Sequence, residues 1–240
     1  MIQMKTTVHK AETRGSSDHG WLKTNFTFSF ADYYNPERIH FGKLRVINDD
    51  TIAPGMGFGL HPHDNMEIIT IPLSGAVKHT DNTDGFGIIK HGEVQVMSAG
   101  TGIWHSEFNA SETEELKLLQ IWIFPDKIGV KPGYKTQSFG FDALQNEWLL
   151  VAGPVEMEGS HLKINQQAFV SFGKIEKGKQ LTYKNYLPAN GVYLFVVEGN
   201  LAVEGSLLER RDGIGIEGEP TLQIGSMEDS QFVIFEIPMK

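Results

Sequence analysis

Two short segments of the chain carry residue types that bind metal ions, and each segment places two such residues two positions apart. His61 and His63 form an H-x-H pair, and His105 and Glu107 form an H-x-E pair further along the chain. On an extended backbone, residues i and i+2 point to the same face of a sheet. If the two strands face a common interior, the spacing predicts that all four side chains meet at one point.

Three imidazoles and one carboxylate form a donor set that suits a divalent transition metal. The sequence therefore predicts one metal ion held by four side chains: His61, His63, His105 and Glu107. Fe(II) is the first expectation, with Mn, Co, Ni, Cu or Zn as alternatives. Four protein ligands leave positions open on an octahedral ion, as binding of O₂ or a substrate requires. The chain has no cysteine, which excludes thiolate ligands, disulfides and cysteine nucleophiles.

The elements that must position these residues are predicted to be strands. Stretches rich in β-branched and aromatic residues include EIITIPL (67–73), KLLQIWIF (117–124) and VYLFVVEG (192–199), and turn residues separate them. This pattern is typical of β-sandwiches and β-barrels. A short helical segment is expected at 141–146. Since the two halves of the chain end in similar strands, we predict an all-β fold of two tandem antiparallel β-barrels with few short helices.

A polar stretch at 126–140, which contains proline and glycine, marks the predicted domain boundary. We expect an N-terminal metal-binding domain at 1–132 and a C-terminal domain at 133–240. The C-terminal part contains one histidine, His161, and neither an H-x-H nor an H-x-E pair. That domain is therefore expected to lack metal ligands and to support the first domain.

The charge balance bears on the partners of the chain. Lys and Arg total 21 against 30 Asp and Glu, a formal net charge of −9. Nucleic-acid binding depends on basic side chains that displace counterions, so direct binding to nucleic acid is not expected. The sequence has no apolar run of membrane-spanning length and no signal-peptide pattern, which predicts a cytoplasmic protein without membrane contact.

Further residues near the two pairs have open roles. His79 and His91 flank predicted turns, where a position at the surface or beside a ligand is favoured over metal ligation. Five apolar residues adjoin the metal-type residues in sequence and are either cavity walls or plain core: Met56, Phe58, Met66, Trp104 and Phe108.

The metal-type residues also lie within two longer patterns. The spacings Gly55-x5-His61-x-His63-x3-Glu67-x7-Gly75 and Gly102-x2-His105-x3-Asn109 closely follow the two cupin motifs. More narrowly, the runs HPHDNMEIITIPLSGAVKHTDN and MSAGTGIWHSEFN resemble the pirin family of bicupins. This resemblance covers most of residues 20–125.

The resemblance implies a bicupin fold with one mononuclear metal in the N-terminal domain. The metal ligands of pirins match the four positions identified above. Their carboxylate ligand corresponds to Glu107, which comes later in the sequence than the general cupin glutamate. Glu67, which matches the general cupin glutamate, is therefore left out of the predicted ligand set. The chain departs from the usual cupin pattern at Ser98 and Ala99, where a proline is expected before the glycines of the second motif.

Pirin-like bicupins are similar to quercetin 2,3-dioxygenases. The resemblance implies a metal-dependent dioxygenase-like activity that cleaves quercetin-type flavonols, or a related enol substrate, with O₂. Glu107 would then be the catalytic base, as a carboxylate able to accept the enol proton. The alternative is a non-catalytic, metal- or redox-dependent regulatory protein that binds other proteins, which the acidic charge balance suits. An isomerase that acts without O₂ is a third possibility, and no residue pattern favours it.

Overall fold

Residues 4–240 are described by the computed structural model, and their regular structure is almost entirely β-strand. Residues 1–3 of the predicted N-terminal domain lie outside this range. Helical structure within the range is limited to two 3₁₀ turns, at Ala11–Thr13 and Phe141–Ala143. The second of these lies inside the predicted helical segment. No helix among the described residues has the length and apolar composition needed to cross a membrane.

Residues 4–138 form twelve strands: β1 (Lys5–His9), β2 (Gly15–Asp18), β3 (Leu22–Phe26), β4 (Leu44–Ile52), β5 (Gly57–His63), β6 (Glu67–Ser74), β7 (Ala76–Asp81), β8 (Phe86–Lys90), β9 (Glu93–Ser98), β10 (Ile103–Asn109), β11 (Leu116–Ile123) and β12 (Gly133–Ser138). Residues 139–240 form ten: β13 (Glu147–Pro154), β14 (Leu162–Ile164), β15 (Phe169–Ile175), β16 (Gln180–Lys184), β17 (Gly191–Glu198), β18 (Leu201–Val203), β19 (Ser206–Leu208), β20 (Gly213–Glu217), β21 (Thr221–Ser226) and β22 (Ser230–Ile237).

Each domain consists of one seven-stranded and one four-stranded sheet. The N-terminal sheets have the orders β12-β9-β6-β11-β4-β3-β2 and β5-β10-β7-β8, and the C-terminal sheets have the orders β1-β20-β17-β22-β15-β13-β14 and β16-β21-β18-β19. Pairing is antiparallel except between β13 and β14. In the described part of the chain, the two sheets of a domain share no strand pairing, so each domain is a two-layer sandwich of the jelly-roll type. The prediction of an all-β fold with two tandem domains is confirmed, but each domain is a two-sheet sandwich and not a closed barrel.

Two strands cross the division proposed at residues 132 and 133. β1, near the amino terminus, pairs with β20 of the C-terminal sheet. β12, which follows that division, pairs with β9 of the N-terminal sheet. Each seven-stranded sheet therefore takes its edge strand from the part of the chain assigned to the other domain, which ties the two sandwiches together by backbone hydrogen bonds.

The two seven-stranded sheets also pack against each other through a shared apolar core. Strand β6 is largely hydrophobic because both of its faces are buried. Ile69 and Ile71 belong to this shared core, while Ile68 and Thr70 face the interior of the N-terminal sandwich. A central strand buried on both faces has no solvent side to make polar. Large residues of both domains meet in the shared core, among them Leu119, Ile121, Phe172, Tyr193 and Phe235.

The interior of the C-terminal sandwich is a second, almost wholly apolar core. It is filled by residues such as Val192, Leu194, Val196, Ile214, Ile224 and Ile234. The N-terminal interior differs, because two small apolar clusters there lie on either side of polar side chains. Among residues 4–240, both groups of side chains close enough to hold a metal ion lie in the N-terminal domain.

Candidate metal centre

The H-x-H and H-x-E pairs lie on neighbouring strands of the four-stranded sheet. In β10, Ile103, His105 and Glu107 are buried and face the sandwich interior, while Trp104 is 47% exposed on the other face. His105 lies directly opposite His61 of β5. The period of two therefore places the side chains on one face, as the spacing predicts.

The three imidazoles form a compact group. The ring centroids of His61 and His105 are 4.4 Å apart, and those of His63 lie 4.9 Å from each of the other two. One ring nitrogen from each histidine lies within 4.8 Å of those of the others. Both ring nitrogens of His105 are buried and have no hydrogen-bond partner among the described residues. A buried group of this kind requires an explanation, and a metal ion bound to one of these nitrogens provides it.

A β-bulge sets the position of His61. His105 is paired with His61, but Glu107 is paired with Phe58, so β5 has one residue more than β10 between these pairs. Bulges of this kind re-aim side chains beside functional sites. Within the bulge, the His61 Nδ1–H donates a hydrogen bond to the Gly59 carbonyl at 2.7 Å. Because a carbonyl only accepts, the lone pair of His61 lies on Nε2.

The imidazoles of His63 and His105 are neutral at pH 7, because the pKa of each is lowered. Burial, together with His105 and His61, lowers the pKa of His63 to about 4. Burial, together with His61 and His79, lowers the pKa of His105 to about 3. Neutral imidazole carries the free lone pair that a metal ion requires, so His63 and His105 do not have to lose protons before binding.

Glu107 is held by three donors from the seven-stranded sheet. Its Oε1 accepts hydrogen bonds from Gln95 Nε2 at 2.8 Å and Thr70 Oγ1 at 3.3 Å, and its Oε2 accepts one from Gln120 Nε2 at 2.8 Å. These donors are consecutive in register, since Gln120 is paired with Thr70 and Thr70 with Gln95; Asn48 extends the row beyond Gln120. A polar row across the sheet therefore faces the carboxylate and fixes its orientation.

Glu107 is near the histidines but does not fall within the same close group. Its carboxylate lies within 4.8 Å of ring nitrogens of His105 and His79, and it lines one cavity with His61 and His63. The structure thus brings all four predicted residues to one interior site. The assignment of these four residues as metal ligands stays a prediction.

His79 lies in the interior rather than at the surface. It is fully buried, its ring centroid is 5.4 Å from that of His105, and it stacks on Tyr134 at 4.2 Å. His79 Nε2 contacts Asp81 Oδ2 at 2.9 Å, and both side chains are completely enclosed. This histidine therefore lies behind His105 with its ring orientation fixed by a carboxylate.

Glu67 and His91 belong to neither metal-type group among the described residues. Glu67 faces the other domain. Its carboxylate accepts a hydrogen bond from Asn165 Nδ2 of that domain at 3.1 Å and one from Ser98 Oγ of its own sheet at 2.7 Å. His91 is partly exposed, with its Nδ1 3.3 Å from the Pro72 carbonyl. Glu67 is therefore a contact between domains.

A cavity of about 200 Å³ opens beside the histidines. Its lining combines three aromatic residues with polar groups: Phe30, Phe58, Trp122, Asn48, Asp50, Gln120, His61, His63 and Glu107. Trp122 contacts both Phe30 and His63 edge-to-face, at centroid distances of 5.3 and 4.9 Å. The cavity presents an apolar body with polar groups at defined points, as small-molecule sites do.

Of the five apolar residues that adjoin the metal-type residues, Phe58 lines this cavity. Met66 packs on an apolar cluster instead. Met56 and Trp104 are 43% and 47% exposed, so neither is a cavity wall or core. The alternation along β10 turns Trp104 away from its neighbour His105.

Sequence reasoning did not identify the polar row or Asp50 as parts of the site. The available signal was a polar residue at an inward position of an otherwise apolar strand, as with Gln95 in EVQVM and Gln120 in KLLQIWIF. Recognising it requires knowing which face of each strand is inward, and only the sheet pairing shows that.

The fold and this centre together define a two-domain cupin. A family model described as "Pirin" matches residues 7–123, and one described as "Quercetinase C-terminal cupin domain" matches residues 150–237. The structure is similar to that of bacterial pirin YhhW in complex with nickel(II) from Escherichia coli, with a TM-score of 0.91 and 40% identity over 98% of this chain and 99% of that one. The chain belongs to the pirin family.

Relatives at similar identity carry two kinds of name. A protein of Escherichia coli (strain K12) named quercetin 2,3-dioxygenase is 42% identical over 231 residues, which cover 96% of this chain and 98% of that protein. A protein of Caulobacter vibrioides named pirin-like protein is 40% identical over 222 residues, which cover 92% and 95%.

Proposed function

We propose that this chain is a metal-dependent, dioxygenase-like pirin that acts on quercetin-type flavonols or on a smaller enol substrate with O₂. The observation that carries the proposal is the convergence of three imidazoles and an oriented carboxylate at the wall of an aromatic-lined cavity. The names of the relatives at 41–42% identity support the reaction class.

The proposed metal ligands are His61, His63, His105 and Glu107. The unpartnered nitrogens of His105 and the fixed tautomer of His61 fit this role. A divalent transition metal held there would supply Lewis-acid polarisation of an enol oxygen and electron transfer to O₂. Fe(II) remains our first expectation, and the nickel(II) complex of the related pirin shows that Ni(II) is an alternative to test.

Glu107 is proposed to take the proton of the enol. Its Oε1 accepts two hydrogen bonds, whereas its Oε2 accepts one, from Gln120. A carboxylate oxygen offers two lone pairs, so Oε2 keeps one free, which either the metal ion or the enol proton can take. The same donors keep the carboxylate from rotating, and Glu107 lines the cavity that an enol would enter.

The size of the cavity favours a substrate, or a part of one, about as large as a single ring. Its volume of about 200 Å³ lies below the roughly 300–1,000 Å³ typical of pockets that enclose drug-sized ligands. Phe30, Phe58 and Trp122 offer flat apolar contacts to a planar ring. A three-ring flavonol would therefore extend beyond the cavity, and a smaller enol or enediol would fill it.

The proposal is tested by incubating protein loaded separately with Fe, Mn, Co, Ni or Cu with flavonols in air and following the loss of flavonol absorbance. We expect turnover with at least one metal, and its rate should fall by roughly 10²-fold or more in Glu107→Gln. Metal content is measured in parallel, so that loss of the base is separated from loss of the ion. Absence of turnover with every metal and every flavonol or enediol tested would favour the regulatory alternative.

A further inference from the structure

Two polar side chains of strand β4 line the cavity but have no role in the proposed chemistry. Asn48 and Asp50 are 5% and 4% exposed, and both line the cavity beside the histidines. The Oδ1 atom of each is buried without a hydrogen-bond partner anywhere in residues 4–240. Unpaired buried oxygens are uncommon in folded proteins, since each loses its hydration without replacement.

The side chains on the neighbouring strands make no hydrogen bond of good geometry to these two oxygens. Asn48 is paired across the sheet with Gln120, whose amide nitrogen donates to Glu107 and whose oxygen lies 3.1 Å from the Thr70 hydroxyl. Asp50 is paired with Leu118 on one side and Thr24 on the other. The Thr24 hydroxyl is itself buried and lies close enough to lower the pKa of the Asp50 carboxyl, but its geometry within the described chain is not that of a hydrogen bond to Oδ1.

The protonation of Asp50 widens what it can bind. Burial raises the pKa of its carboxyl to about 7, so a large fraction is the neutral acid near pH 7. A neutral carboxylic acid donates one hydrogen bond and accepts others, as the Asn48 amide also does. Together the two side chains can satisfy both the hydrogen and the oxygen of a hydroxyl group.

The polar pair shares its cavity with aromatic side chains and with the metal-type residues. Phe30, Phe58 and Trp122 line the same cavity as the polar pair and the histidines. The Trp122 Nε1–H is also buried and lacks an acceptor in the described structure. A ligand that enters the cavity therefore meets flat apolar walls and further hydrogen-bonding groups besides the metal-type residues.

We propose that Asn48 and Asp50 determine specificity by binding a substrate hydroxyl that is separate from the enol oxygen presented to the metal centre. The substrate class is a planar polyhydroxylated ring or enediol with at least one such additional hydroxyl. This inference rests on the proposed function for the enol end of the substrate. The binding of the additional hydroxyl is inferred from the unpaired oxygens of Asn48 and Asp50.

The test measures binding by calorimetry without O₂, using metal-loaded protein and two flavonols. Quercetin has several additional hydroxyls, whereas 3-hydroxyflavone keeps only the 3-hydroxy-4-oxo pair. In Asp50→Leu we expect the Kd for quercetin to rise roughly tenfold and that for 3-hydroxyflavone to change less than about twofold. Asp50→Asn keeps a donor and an acceptor, so its Kd for quercetin should stay within about threefold.

The exposed carboxylate of Asp142, 88% accessible, provides the matched control Asp142→Asn, which should leave both affinities unchanged. Equal losses for the two flavonols in Asp50→Leu, or no loss for either, would overturn the inference and indicate that the pair holds only water. Failure of the wild-type protein to bind quercetin would overturn it as well.

Turnover in air is measured on the same variants. Turnover with equal KM values for quercetin in all variants would contradict the role of Asp50 and leave the proposed function standing. Hydroxyl-dependent binding without turnover would support the role of Asp50 and contradict the proposed function.

Discussion

Replacing Asp50 by Asn is expected to stabilise the metal-free protein more at pH 8 than at pH 5. The side chain is 4% exposed, and burial raises the pKa of its carboxyl from the ordinary value of 3.8 to about 7. Between these two values the folded protein binds more protons than the unfolded chain. Stability contributed by this group is therefore present at low pH and is lost as the pH rises through 7.

The size of the effect follows from the two pKa values. Between pH 5 and pH 8 the titration of Asp50 should cost the wild-type protein about 2.5 kcal/mol, at 1.36 kcal/mol per pKa unit. Asn does not titrate, so the variant does not lose this amount. The difference in unfolding free energy between Asp50→Asn and wild type should widen by the same amount over this interval.

Urea unfolding followed by tryptophan fluorescence, with EDTA present at both pH values, measures this difference. Asp142→Asn is the control, because its carboxylate is 88% exposed and its replacement should shift both measurements equally. A gap between Asp50→Asn and wild type that stays constant within about 0.5 kcal/mol, or one that is larger at pH 5, would refute the reasoning. Asp50 would then be ionised in the fold at an ordinary pKa.

Three further predictions concern the centre and the second domain. Gln95→Leu removes the 2.8 Å donor to the Glu107 carboxylate, the proposed fourth ligand, and should weaken metal binding by roughly 10–100-fold in calorimetry; unchanged affinity would show that the polar row has no part in binding. His105→Ala should abolish retention of metal in elemental analysis, whereas the exposed His19→Ala should retain it; full occupancy in His105→Ala would exclude this histidine as a ligand. Glu236→Leu should lower the free energy of unfolding by about 3 kcal/mol or more, because the buried carboxylate accepts four hydrogen bonds from 183–190; a loss below about 1 kcal/mol would contradict this.

The sequence alone determined the strand character of the chain and the identity of the histidines that meet. The reason is local: in an extended segment the side-chain period is two, so an H-x-H or H-x-E pair shares a face whatever the strand packs against. His61, His63 and His105 form one group for this reason. The sequence also predicts that the C-terminal part cannot repeat this ligand set, since it has one histidine.

Tertiary structure alone decided which strands became neighbours. The row that holds Glu107 comes from three strands distant in sequence, and its members meet because β9, β6 and β11 pair in one register. The same pairing turned Glu67 toward Asn165 of the other domain and left Asp50 unpaired in the cavity. The period of two shows which residues share a face, but not which face is inward. The burial of whole sheets against each other settles that, and it depends on contacts between distant parts of the chain.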